Sequence, residues 1–208
     1  MLPKERLDLP VVPPEQQSVL QAVLLLAQTC EFEVNHTLHV TRLALRLFDE
    51  LHSLHRLGQR ERNWLIYAGI LHDIGWIEGW KEHHRVSLRI ILVTPMLPFS
   101  NKERLIIGSI ARYHRKSLPE MKHDNYAALS QQERQVVCTL AGCLRLADGL
   151  DHTHQQRIND LSCKVSSKKI IITCTSTIPD PADSDEAQLK SDLLSRAFRR
   201  KVSLQGPT

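Results

Sequence analysis

The chain has 208 residues, of which 42% are hydrophobic, and 27 Lys and Arg against 23 Asp and Glu give a formal net charge of +4. That length and apolar content bury a core in one domain with at most a small appendage, and so mild and dispersed a charge does not mark a specific nucleic-acid binder. The longest apolar run, Val19 to Ala27, is broken by Gln21 and falls short of the roughly 20 residues a membrane span requires.

In chain order, residues 1–13 are expected to be an N-terminal arm, without the hydrophobic stretch of a signal peptide. Pro13-Pro14-Glu15 starts a helix carrying Val19, Ala22, Val23, Leu26 and Ala27 at helical spacing. A second helix, Asn35 to Leu54, places Val40, Leu43, Ala44, Leu47, Phe48 and Leu51 on one face. Further helices are expected over Glu61–Asp73, Glu82–Val93, Lys102–Arg115 and Gln131–Leu150. The period then changes: LSCKVSSKKIIITCTS, from Leu161, reads as a hairpin turning at Ser166-Ser167. Ile178–Asp185 reads as a loop ending in a helix cap, Glu186–Arg199 as a last helix, and KVSL as a short strand. The expected fold is mainly α, with a helical domain at 14–157 and a small α+β extension at 158–208 packed on it. Five cysteines without CxxC spacing indicate neither a disulfide framework nor a zinc ribbon, so a cytoplasmic location with reduced thiols is expected.

Four ligand-type residues fall where helices face the core. His36 precedes Val40 by four residues and shares its inward face, whereas His39 lies on the flank. Trp64 to Asp73 is apolar nearly all round, so its terminal His72-Asp73 emerges inside the protein. Val137, Leu140, Ala141 and Leu144 mark the stripe that Asp148 continues. Each residue taken singly reads as a hydrogen-bonded core group, but three helices aiming such residues along apolar stripes point to a divalent cation, because unpaired buried charge is expensive. Two imidazoles and two carboxylates suit Mn, Fe, Ni, Co, Zn or Mg with solvent positions open, and such a cation activates water and polarises a phosphoryl oxygen.

Other candidates surround this set. His83, His84 and His114 are positioned for a second metal or a phosphate. Arg112, Arg115, Lys116 and Arg145 are candidate phosphate ligands, with solvated surface charge as the plain alternative. Trp76 and Trp80 flank the His72-Asp73 turn, and Glu78 and Glu82 are carboxylates within reach of it in sequence.

His36, LHD at Leu71–Asp73 and RLADGLD at Arg145–Asp151 resemble the H...HD...D pattern of the HD-domain metal phosphohydrolases. A closer similarity is to the C-terminal helical domain of the exopolyphosphatase and guanosine pentaphosphate phosphatase family, through HTLHVTRLALRLFDEL, LHDIGW, ARYHRKSLP, LRLADGLDHTHQQRINDLS and LLSRAFRRKVSL. The resemblance implies an HD-type helical core with His36, His72, Asp73 and Asp148 on the metal. That family places catalysis in preceding actin-like domains with Gly-rich phosphate loops, which have no counterpart here, so its usual mechanism does not transfer. Trp76 and Ile77 also stand where HD enzymes carry an acidic pair.

The expected activity is therefore that of a stand-alone HD-type metal-dependent phosphohydrolase, with Asp73 as catalytic carboxylate. Its substrate would be a nucleotide, polyphosphate or small phosphorylated metabolite. The alternative is a regulatory module that binds polyphosphate or a guanosine phosphate through its basic face. A homodimer is compatible with either.

Overall fold

The computed structural model describes residues 11–205 apart from 177 and 179, so most of the expected N-terminal arm lies outside the described residues. The protein is mainly α, with ten α-helices and one three-stranded sheet among the described residues. No helix among these residues is long and apolar enough to cross a membrane.

The helical body is built around α2 (Val34–Glu50), α4 (Gln59–Leu71) and α8 (Gln131–Leu150), which pack on one another. The regular apolar face of α2 explains its place: Val40, Leu43, Ala44 and Leu47 have no solvent exposure. Helix α1 (Gln17–Thr29) lies against α4, and α5 (His83–Val93) lies against α6 (Asn101–Arg112). Capping boxes start α6 and α8, where the Ser100 and Ser130 hydroxyls accept from the Glu103 and Glu133 amides and those glutamates accept in return.

Three helices end differently from their periodicity, each for a local reason. Helix α2 stops at Leu51 and a separate turn, α3 (His52–His55), follows, because the His55 ring donates through Nε2 to Phe48 O at 2.8 Å. Helix α6 stops at Arg112, where His114 folds back and donates through Nδ1 to Ala111 O at 2.7 Å. The last expected helix begins five residues earlier, as α9 (Pro181–Lys190), capped by Asp180 with Pro181 in its first turn. It breaks at Ser191, after which α10 (Asp192–Phe198) runs on. One further short helix, α7 (Asp124–Ala127), sits in the segment between α6 and α8.

The hairpin comprises β1 (Ile158–Val165) and β2 (Lys169–Ser176), with Leu161 opposite Cys174 and Cys163 opposite Ile172. β3 (Lys201–Gln205) returns parallel to β2, Ile170 beside Val202, so the α9–α10 pair is the crossover between them. All five cysteines are free.

Two glycines on α8 let this crossover approach. A Cβ at Gly142 would lie 3.1 Å from the Leu194 backbone, and one at Gly149 would lie 2.7 Å from Ala187 Cα. Asp183, 1% exposed, ties α9 to the chain beyond α8 by accepting from the Thr153 amide at 2.8 Å and its hydroxyl at 3.1 Å. The end of α8 and the end of α9 are thereby held together at one mouth of the helical body.

Candidate metal centre

That mouth is a cleft of about 420 Å³, lined among others by Asp73, His83, His114 and Asp148, with His36 and His72 behind them. His36 comes from the first turn of α2 and His72-Asp73 from the end of α4. His83 opens α5, His114 follows α6, and Asp148 lies in the last turn of α8. All four histidines are at most 1% exposed.

Three of these histidines use one local device. His72, His83 and His114 each place Nδ1 on the carbonyl three residues earlier, Gly69 at 2.6 Å, Trp80 at 2.9 Å and Ala111 at 2.7 Å. A carbonyl only accepts, so each Nδ1 carries the proton and each Nε2 presents a lone pair. His36 achieves the same end over a long range, with Nδ1 2.8 Å from Asp151 Oδ2. Asp151 is fully buried and is itself held by the Gln156 amide at 2.7 Å.

The four Nε2 atoms converge on two carboxylates. Asp73 Oδ2 lies 3.4 Å from His72 Nε2 and 3.9 Å from His36 Nε2. Asp73 Oδ1 lies 3.0 Å from His83 Nε2 and 3.3 Å from His114 Nε2. Asp148 Oδ1 lies 3.4 Å from His36 Nε2 and 3.9 Å from His72 Nε2. Two ligand groups result, His36–His72–Asp73 and His83–His114–Asp73, joined by the two oxygens of one carboxylate.

Acceptors thus face acceptors. His36 Nε2, His72 Nε2 and Asp73 Oδ1 are buried without a hydrogen-bond partner, an arrangement that needs protons or a cation at its centre. The acidities agree. Burial opposes charge on His36, but Asp148 and Asp151 hold its pKa up at about 10. His72 is likewise raised, against burial, by Asp73. Against burial too, Asp73 is held well below the usual carboxylate range by His72, and Asp148 by Lys190 and His36. Burial drives His114 well below an ordinary histidine, leaving it neutral. Neutral imidazoles and ionised carboxylates are the donor set that divalent transition metals take, so the residues fit such a cation.

His36, His72, Asp73, Asp148, His83 and His114 therefore meet in one cluster. His84 does not join it: 6% exposed and pushed down by burial to about 4, it belongs to neither ligand group. Arg115, Lys116 and Arg145 line the cleft, but Arg112 does not, because α6 ends there and its guanidinium donates to Asn125. Trp76 lines the cleft and stacks on His83 at 5.1 Å, while Glu78 and Glu82 pair outside it with Arg89 and Arg85.

Asp151, which the helical period puts one turn beyond Asp148, and His154 carry further parts of the candidate site. His154 stacks flat on His36, ring centroids 3.8 Å apart, and bonds Glu33 Oε2 at 2.7 Å. Asp151 sets the His36 ring, so Asp151→Asn is expected to weaken metal binding by about 10- to 100-fold with little loss of fold, measured by competition with a chromophoric chelator.

The family model for Ppx/GppA phosphatase, domain III, matches residues 20–196, from within α1 to within α10. No curated protein matches the chain. A match over so much of its length means that the chain belongs to the Ppx/GppA phosphatase family, through that family's domain III.

Proposed function

We propose that the protein is an HD-type metal-dependent phosphohydrolase that cleaves a phosphoester or phosphoanhydride bond of a nucleotide, polyphosphate or other small phosphorylated metabolite. One observation carries this reading: four buried imidazole Nε2 atoms converge on both oxygens of Asp73 and one of Asp148, each ring's Nδ1 being engaged elsewhere. His36, His72, Asp73 and Asp148 would hold one cation of the Mn, Fe, Ni, Co, Zn or Mg class, and His83, His114 and Asp73 a second. Such ions supply an acidified water and withdraw charge from a phosphoryl oxygen.

The chain's own residues do the rest. Asp73 acts as the catalytic carboxylate by tying the two halves together. Arg115 and Lys116, on the cleft wall, neutralise phosphate oxygens, Arg115 sitting with Nη1 3.3 Å from both ring nitrogens of His83. Five free thiols fit work in the reducing cytoplasm.

The test is elemental analysis paired with phosphate release from nucleotides and polyphosphate in Mn, Ni, Co or Mg. Metal-dependent turnover supports the reading, and a protein that neither retains metal nor turns over any substrate rejects it. The basic wall favours a second reading, a phosphate-binding regulatory module. Under it, charge-neutral variants of Arg115 and Lys116 abolish ligand binding while loss of His72 leaves it intact.

Loading also has a pH signature. With His36 held at about 10 and His72 raised, the metal-free cluster carries protons at pH 7 that a cation must displace. Metal addition to weakly buffered protein at pH 7 is expected to release protons, and affinity to climb with pH until His36 is neutral. A pH-independent affinity between 6 and 8 would contradict this ligand set.

A further inference from the structure

We propose that Lys190 and Arg145, which line the same cleft where α9 crosses the end of α8, form a phosphate-binding subsite on it, so that the C-terminal segment completes the site. The inference rests on the metallohydrolase reading above and names how that site holds its substrate's phosphate.

Lys190 belongs to a surface helix whose neighbouring Leu189 is 72% exposed, yet its own side chain is only 14% exposed and lines the cleft. Lysine is rarely so covered unless something holds it. Its Nζ donates to Asp148 Oδ2 at 2.7 Å and lies 3.4 Å from Glu186 Oε1, one turn back. An ammonium has three donors, so one remains for a ligand. The Asp148 carboxylate is divided between tasks: Oδ1 faces His36 and His72, and Oδ2 faces Lys190. The lysine therefore coexists with a cation on the other oxygen rather than competing for its place.

Arg145 supplies the second arm. Its Nε and Nη2 grip Asp192 at 2.8 and 3.1 Å, which fixes the plane of the guanidinium. Its side chain is 9% exposed and lines the cleft, and Nη1 is buried without a partner. A buried guanidinium nitrogen with no acceptor, on the same cleft as a lysine with a donor to spare, calls for an anion with several acceptor oxygens. Tetrahedral phosphate meets both. The close approach at Gly149 and the Asp183 tie to Thr153 hold this pairing in register.

Lys190 could instead serve only to balance Asp148, and phosphate titration separates the two roles. Inorganic phosphate is titrated calorimetrically into Mn-loaded and chelator-stripped full chain, with metal content measured on each sample. The variants are Lys190→Met, Lys190→Arg, Arg145→Lys and, as a distant control, Lys201→Met. Expected are phosphate affinity at least about tenfold weaker in Lys190→Met with metal content unchanged, recovery to within about threefold in Lys190→Arg, and weakening in Arg145→Lys, which keeps a charge for Asp192 but loses the third donor. Unchanged phosphate affinity in Lys190→Met overturns the subsite, as does loss of metal in that variant, which would place Lys190 in support of Asp148 alone. Should the parent protein take up no metal, the hydrolase reading falls by itself. Phosphate binding by the stripped protein that depends on Lys190 then still supports the subsite, and its absence overturns it.

Discussion

Asp73→Ala is expected to remove both metal ions and to lower metal-dependent phosphate release by at least about a thousandfold, while the helical fold persists. The size of the effect follows from the division of one carboxylate. Oδ2 serves the pair His36 and His72, and Oδ1 serves His83 and His114, so a single truncation empties both halves. His83→Ala is the contrast, since it leaves the His36–His72–Asp73 group intact. The fold survives because Asp73 follows α4 rather than lying within it, and the apolar surfaces of α2, α4 and α8 do not involve it. Elemental analysis of both variants, with thermal melts in chelator and in excess Mn, reads the prediction. Wild type should gain stability from the metal by mass action, and Asp73→Ala should melt at the same temperature in both conditions. A metal-dependent rise in melting temperature that persists in Asp73→Ala would disprove the bridging role.

The helical body and the placing of the first half of the candidate site were legible in the sequence because both rest on one period. The stripe on α2 selects His36 over His39, and His36 is 1% exposed whereas His39 is only part-buried and forms no part of either ligand group. The stripe on α8 carries Asp148 to the same mouth. Periodicity fails where a helix stops. His114 reaches the cluster by leaving α6 and bonding the Ala111 carbonyl, and Arg112, expected beside it, is carried away to Asn125 by the same termination.

Tertiary placements were less accessible. Asp151 lies one helical turn beyond Asp148, but only the fold brings its carboxylate onto His36, 115 residues away. Lys190 reads as one more charge on a solvated terminal helix, and the glycine that lets α9 close on α8 looks like any helix interior residue. The signals that bear on these residues are Asp180-Pro181, which starts α9 early, and Gly142 with Gly149, seven residues apart on one face of α8.

Gly75→Ala is expected to be the most damaging small substitution near the site. A Cβ there would lie 2.1 Å from His83 O and 2.7 Å from Ser87 N, and both are backbone atoms that no rotamer change can move. The turn Ile74–Glu78 is locked to α5 through Ser87, whose fully buried hydroxyl donates to His72 O at 2.7 Å and accepts from the Gly75 amide at 2.9 Å. Relieving the overlap pushes the first turn of α5 away, breaks that bridge and withdraws His83 from Asp73. The loss of stability should be about 3 to 4 kcal/mol, from overpacking together with two buried hydrogen bonds. Chemical denaturation of the chelated protein measures it without any contribution from bound metal. His36 and Asp148 stand on α2 and α8, away from the displaced turn, and His72 keeps its own Nδ1 bond to Gly69 O, so the surviving fold should keep one ion of two. That pattern, half the metal lost with a large drop in stability, separates Gly75→Ala from Asp73→Ala, which takes all the metal at little cost to the fold. A Gly75→Ala protein as stable as its parent would mean that α5 does not press on this turn, and that His83 is held in the cluster by some other contact.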